Sequence, residues 1–306
     1  MRAYARIAVT ADPVRGTRLD TLRGEPPLLP RRTGWDDGEL RVHLVGGAAG
    51  PLGGDDLRID VEVGPGARLC VRSVAASLAL PGRTGVESRL HVTVRVAAGG
   101  RLRWLVEPLI GAAGCDHRTV TEIELAEGAA LLWREELVCG RHAEPVGDVR
   151  VETTLRYGGR TLLRNDLAVG PRAVGWSGAA VLGDARAAGT VLVVDPAWTA
   201  LPPPHAGAAG PDGGPIEPRD GKPDGCAAAV LPLAGGPAVL VSAVAADPRS
   251  VRAQLDRLSA RWSGPEQSPR HGADLTSPAR PHAGSEPVVP TSGTARSTRP
   301  ARTGTT

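Results

Sequence analysis

Between Ile7 and about Val194, apolar residues fall at every second position over long stretches. Leu57, Ile59, Val61 and Val63 alternate with Arg58, Asp60 and Glu62, and Leu90, Val92, Val94 and Val96 alternate with His91, Thr93 and Arg95. A period of two marks strands with one face buried and one face in water. Glycine and proline interrupt these runs at short intervals, so this region is predicted to be mostly β.

The alternation recurs in a longer unit. Val63 to Val71 reads VGPGARLCV, Val96 to Trp104 reads VAAGGRLRW, and Leu125 to Trp133 reads LAEGAALLW, so Gly66, Gly99 and Gly128 stand 33 and 29 residues apart. Each unit is an apolar strand, a tight turn with glycine where a positive φ is easiest, and a second strand opening on Leu69, Leu102 or Leu131. Such a unit cannot bury its apolar face alone. Stacked β-layers, each covering its neighbour, are therefore preferred to an ordinary sandwich of hairpins.

After Val194 the pattern changes. Residues 199–225 are rich in proline and glycine with hardly any apolar anchor, which predicts a mobile loop. Residues 226–246, CAAAVLPLAGGPAVLVSAVAA, carry no charge and are long enough to span a bilayer. Pro232 and Gly235-Gly236-Pro237 divide them into two short apolar runs, which favours a buried hairpin over a membrane span. A helix is predicted over 247–262, with Asp247 as N-cap, Pro248 at its first position, and Val251, Leu255, Leu258 and Trp262 on one face. Gly264 and Pro265 stop it, and the remainder to Thr306 lacks periodicity and reads as a disordered tail. The expected fold is thus mainly β: a stacked β-layer, β-helical single domain over 1–263 with a short C-terminal helix.

Composition narrows the chemistry. The 306 residues are 41% hydrophobic but only 3% aromatic, with no Phe and one Met, so the core must pack small side chains closely. Thirty-six cations against 33 anions, mixed along the chain, leave a net charge of +3 and no cationic stripe. With few aromatic platforms as well, nucleic-acid binding is not expected. Cys70, Cys115, Cys139 and Cys226 are widely spaced without a Cys-x-x-Cys pair, which argues against a zinc knuckle or a disulfide framework and fits a reducing cytoplasm. Arg2 and Arg6 have no continuous apolar segment behind them, so no secretory signal is read.

Several groups could carry function. Gly175-Trp176-Ser177, followed by Asp195 and His205, is in the order of a serine hydrolase, but the elbow motif calls for glycine where Ala179 stands and for a strand–turn–helix context. Gly221-Lys222 is followed by Pro223 and makes no phosphate loop. Cys115-Asp116-His117 and Cys139-Gly140-Arg141-His142 bring thiols and imidazoles together at spacings that match no metal box, although these donors suit nickel or zinc. Acidic residues are more suggestive. Asp55 precedes a repeat strand, Glu107 follows one, and Glu135 and Glu136 interrupt the apolar strand LLWREELV, where a carboxylate must face either solvent or a polar channel.

With these residues in view, the chain resembles the UreD (UreH) family of urease accessory proteins. Gly16, Thr17 and Leu19 lead to PPLLPRR; Gly53-Gly54-Asp55 precedes a strand and the Pro65-Gly66 turn; Ala75-Ala76-Ser77 forms a small-residue patch. RLRWLVEPLIGAAG then matches a Trp-Leu segment, and GAALLWREELVCGR an acidic position ending in Gly140-Arg141, the whole running over residues 2–262. The chain departs from the family at Val71-Arg72-Ser73, Leu78-Ala79-Leu80 and Glu144-Pro145. The resemblance implies a non-enzymatic β-helical scaffold that binds apo-urease with UreF-type and UreG-type accessory proteins, the latter a GTPase, without nucleic acid, membrane or a stably bound cofactor. It also implies transient passage of Ni²⁺ along an internal polar path. Carried over, the path residues are Asp55, Ser77, Glu135 and one acidic position near Asn165 or Asp166, with Asn165 at the matching place. Scattered, singly placed ligands suit that task, because a closed set of four would trap the ion. A metal-free β scaffold for protein binding stays open beside this reading.

Overall fold

The computed structural model describes residues 1–36, 38–82, 85–198, 205–206 and 226–263, all within one unit, Met1–Pro265. Apart from His205–Ala206, the loop predicted over 199–225 and the tail predicted over 264–306 lie outside the described residues. The chain opens with β1 (Arg2–Asp12), β2 (Gly16–Gly24), β3 (Leu28–Asp36) and β4 (Glu39–Gly46). Three repeat units follow: β5 (Asp56–Val63) with β6 (Arg68–Ser73) and the short β7 (Ser77–Ala79); β8 (Ser88–Val96) with β9 (Arg101–Leu105) and the short β10 (Leu109–Gly111); β11 (Asp116–Leu125) with β12 (Ala130–Cys139). Then come β13 (Asp148–Tyr157), β14 (Arg160–Val169), β15 (Ala187–Val194), β16 (His205–Ala206), β17 (Cys226–Leu233), β18 (Ala238–Ala245) and α1 (Pro248–Ser263).

The repeat glycines sit at φ 67°, 69° and 80° for Gly66, Gly99 and Gly128, a region that costs other residues a Cβ clash. Each turn carries the chain from one sheet to the other instead of folding it back beside itself. The first strand of every unit enters a seven-stranded sheet ordered β14-β13-β11-β8-β5-β1-β2, and the second enters a larger sheet ordered β16-β17-β18-β15-β12-β9-β6-β4-β3. Within the coils the pairing is parallel and in step. Leu69 stands beside Leu102 and Leu102 beside Leu131, while Val63, Val96 and Leu125 align in the facing sheet. The turns stack as well, with the Gly99 amide donating to the Gly128 carbonyl at 3.1 Å. A short third ladder, β7–β10 and the end of β12, closes the coil. This is the β-solenoid-like stack that the glycine spacing predicts.

The core lies between the two sheets. Ile59, Val61, Val92, Val94, Ile123 and Leu125 meet Leu69, Val71, Leu102, Trp104, Leu131 and Trp133. With few aromatics available, Trp104 and Trp133 pair in register and stack at 4.6 Å with planes 9° apart, worth about 0.5–1.5 kcal/mol beyond their burial. The uncharged 226–246 segment forms the antiparallel β17–β18 pair, and among the described residues no helix is long and apolar enough to cross a membrane. Asp247 caps α1 as expected, accepting from the Arg249 and Ser250 amides at 2.9 and 3.0 Å. Val251 and Leu255 bury the helix against β15 and β18. Gly189 permits that approach: a Cβ there would lie 2.7 Å from Leu255 Cδ1 and 2.8 Å from Val251 Cγ1.

Candidate functional site: a polar layer between the sheets

Strand β12 is covered on both faces, so its two carboxylates have different fates. Leu131, Trp133 and Glu135 point between the sheets, whereas Arg134 and Glu136 point beneath α1. Glu135 is met there by two hydroxyls from the opposite sheet. Thr121 Oγ1 donates to Oε1 at 3.2 Å and Thr153 Oγ1 donates to Oε2 at 2.7 Å. Burial pushes the Glu135 carboxyl up from its ordinary value, and hydrogen bonds from Thr153, Trp133 and Thr121 oppose that shift. The Trp133 contribution is the weakest geometrically, since its buried indole N–H has no well-formed partner.

Register turns this contact into a layer. Thr121 pairs with Thr153, and Thr153 with Asn165, so three polar residues run across β11, β13 and β14. Glu135 pairs with Thr190, and Thr190 with Ser242, giving a second polar row across β12, β15 and β18. Directly paired residues share a face. The two rows therefore oppose each other across the sandwich, with Glu135 as the ionisable group of the layer. Next to it the stack is dry, for Ile123, Leu125, Leu155 and Leu131 occupy the positions nearer the glycine turns.

A cavity of about 420 Å³ runs along this layer. Ser77, Glu107 and Leu109 border it, as do Glu135, Thr190 and Ser242, then Asn165 and Leu167 of β14, Leu231 of β17, and residues 180–182. It has room for on the order of ten waters. The rest of its wall is mostly apolar, including the Trp104 and Trp133 rings, with Thr119, Thr121, Glu136 and Asp166 as further polar members, and a hydrated solute is favoured along the polar groups.

Three of the four predicted path positions thus reach one cavity, with differences among them. Ser77 and Glu135 border it directly. At the third position Asn165 stands in the polar row, whereas Asp166 touches the cavity but turns its carboxylate outward to Arg150, whose Nε donates to Oδ1 at 3.0 Å. Asp55 does not border the cavity. It is buried near the start of β5, where its carboxylate accepts from the Met1 ammonium at 2.8 Å and the Leu52 amide at 2.9 Å. Leu52 bridges to Leu80, which follows Ala79 at the end of β7 away from Ser77.

Glu107 and Glu136, which also interrupt the apolar pattern, serve α1. Arg252 Nη1 donates to Glu107 at 2.9 Å and Arg252 Nε to Glu136 at 3.0 Å, while Arg134 bonds Asp256 at 3.0 Å. Burial raises the Glu136 carboxyl, with Arg252 and Arg134 pulling it back down. These pairs pin the helix behind the strand that carries Glu135.

The other constellations disperse. His117 is buried between Ser88 Oγ at 2.9 Å and Thr119 Oγ1 at 3.0 Å, and burial lowers its pKa to about 4, so both ring nitrogens are engaged and the ring is neutral. Burial raises the Cys115 and Cys139 thiols to about 11, and His142 is exposed on a turn. Among the described residues no group of three or more His, Cys, Asp or Glu converges. Ser177 is exposed in a run of turns between β14 and β15, with no helix after it, so the strand–turn–helix setting of a hydrolase elbow is missing there. Thr121, Thr153, Thr190 and Ser242 are the members of the layer that sequence reasoning missed.

Comparison with known proteins gives a consistent result. The family model described as UreD urease accessory protein matches residues 1–273. A urease accessory protein UreD of Streptomyces avermitilis is 45% identical over 257 residues, covering 84% of this chain and 95% of that protein. One from Parafrankia is 41% identical over 286 residues, covering 86% and 90%, and one from Streptomyces coelicolor is 43% identical, covering 84% and 94%.

Proposed function

The chain belongs to the UreD family of urease accessory proteins and so has a role in urease maturation, and we propose that it acts as a non-enzymatic scaffold that passes nickel through the layer centred on Glu135. In this reading it binds apo-urease together with UreF-type and UreG-type accessory proteins in the cytoplasm, a setting that suits its four free thiols. The observation that carries the nickel step is the pair of facing polar rows, Asn165–Thr153–Thr121 and Ser242–Thr190–Glu135, of which all but Thr153 line one cavity.

The chemistry is that of a conduit. A divalent ion entering an apolar-walled cavity must keep its waters or replace them with oxygen donors. One carboxylate supplies charge, and hydroxyl and amide oxygens supply weak neutral ligands. Such a set favours entry without building the closed nitrogen and sulfur shell that would hold nickel. Strand pairing fixes the donors, and the Glu107–Arg252–Glu136 bridge holds α1 behind them. Expression of Glu135→Ala with Ser77→Val in nickel-limited cells lacking the wild-type chain tests the reading. Urease activity should fall well below wild type while the variant protein accumulates normally, and unchanged activity favours the metal-free scaffold.

A further inference from the structure

Four carboxylates border the cavity, those of Glu107, Glu135, Glu136 and Asp166, and among the described residues no Lys, Arg or His does. Three of the four are neutralised by cations that stand outside it. Arg150 takes Asp166, and Arg252 reaches from α1 to both Glu107 and Glu136. Among the described residues, Glu135 is the one cavity carboxylate with hydroxyl donors in place of a cation.

The arrangement around Arg252 exceeds what attaching the helix requires, since Val251 and Leu255 already bury α1 against β15 and β18. The Glu136 side chain is 3% exposed, and Arg252 Nη2 is buried without a hydrogen-bond partner. Burying such an ion pair costs desolvation on both sides, and apolar residues of similar volume commonly serve stability as well or better. What they cannot supply is a fixed positive charge between two cavity carboxylates. One guanidinium spans both: Nε donates to Glu136 at 3.0 Å and Nη1 to Glu107 at 2.9 Å, so the two acids converge on a single cationic group. Arg134 Nε stands 3.3 Å from Glu136, and Arg252 is the cation that joins Glu136 to Glu107. An independent feature points to a polar guest in the same cavity. Trp133 is 2% exposed and borders it, yet its indole N–H has no hydrogen-bond partner. Buried donors are normally paired, so the wall keeps one donor for an oxygen carried by what passes.

We propose that Arg252 is a positioning residue for nickel passage: it occupies the place between Glu107 and Glu136 where a divalent ion would otherwise be chelated, and leaves Glu135 as the carboxylate the ion meets. The inference rests on the nickel reading above and deepens it. Without the guanidinium, the two acids offer up to four oxygens to one ion, and relief of their mutual repulsion strengthens its binding. An ion held that way is trapped instead of passed on.

The test is calorimetric titration of nickel chloride into the purified full chain as wild type, Arg252→Leu, Arg252→Lys, and Arg252→Leu combined with Glu107→Gln and Glu136→Gln. Each protein is first shown to melt cooperatively. Arg252→Leu should bind nickel at least about tenfold more tightly than wild type. Arg252→Lys keeps the charge and should stay near wild type, and the triple variant should return to it. If Arg252→Leu does not melt cooperatively, Arg252→Gln, which keeps a donor for Glu136, takes its place with the same expectation. Equal nickel affinity of wild type and the charge-removing variant overturns the proposal, even where that variant melts at a lower temperature, which is all that a purely structural role predicts. Tightening that survives Glu107→Gln and Glu136→Gln, or that Arg252→Lys shares in full, also overturns it. The two readings fail separately: full nickel loading of urease by Glu135→Gln refutes passage through the layer, whereas unchanged nickel affinity of Arg252→Leu refutes only the role given to Arg252.

Discussion

Thr153→Val removes one oxygen from the centre of the molecule and preserves its shape. Thr153 is 3% exposed, and its hydroxyl donates to Glu135 at 2.7 Å, so the substitution removes a direct bond to the carboxylate. A hydrogen bond to a charged group contributes about 1.5–3 kcal/mol and one between neutral groups about 0.5–1.5 kcal/mol. The cost of Thr153→Val should therefore sit near the lower range where Glu135 is protonated and rise towards the upper range as it ionises. In a Glu135→Gln background the acceptor is neutral at every pH, and the cost should stay near 1 kcal/mol. Urea unfolding of the four proteins of this double-mutant cycle, repeated between mildly acidic and mildly alkaline pH, gives the coupling directly. Expected is a coupling of about 1 kcal/mol on the alkaline side of the Glu135 transition that shrinks on its acid side. A cost that is the same in both backgrounds, or flat with pH, would refute the hydrogen-bonded carboxylate as the centre of the layer.

Two further outcomes follow from the same geometry. Because burial raises the Glu135 carboxyl above its ordinary 4.5, its favourable contribution to folding is present below that value and lost as pH rises through the folded-state value. Glu135→Gln should accordingly gain stability relative to wild type as pH increases, read as the difference in unfolding free energy across a pH series, and an opposite slope contradicts the burial. Gly189→Ala forces a Cβ to within 2.8 Å of both Leu255 and Val251, so it should cost about 1–3 kcal/mol and loosen α1, seen as faster amide exchange in the helix.

Much of the fold was legible in the chain because its determinants are local. Gly66, Gly99 and Gly128 mark the turns, and aligning the sequence on them also aligns Leu69, Leu102 and Leu131, which pair in the structure. Asp247 announces a helix, and Gly235-Gly236 a hairpin. What stayed hidden is what faces what across the sandwich. Thr121 and Thr153 belong to the opposite sheet from Glu135, and a buried threonine leaves the β pattern intact because it suits a strand as well as valine does. Glu136 and Glu107 look like Glu135 in sequence, but their partner Arg252 lies 116 and 145 residues away on α1. The choice between Asn165 and Asp166 depends on a single step of strand register, which sends one side chain inward and the other to Arg150.

The most direct test of nickel passage is the metal content of urease matured in the presence of Glu135→Gln. This variant keeps shape and hydrogen-bonding capacity but loses the charge in the layer. Urease co-expressed with it and the other accessory proteins, under limiting nickel, is purified and its nickel per active site measured alongside the amount of assembled complex. Nickel per site well below that obtained with the wild-type chain, with complex assembly intact, is the expected result. Full nickel loading with Glu135→Gln would contradict passage through this layer.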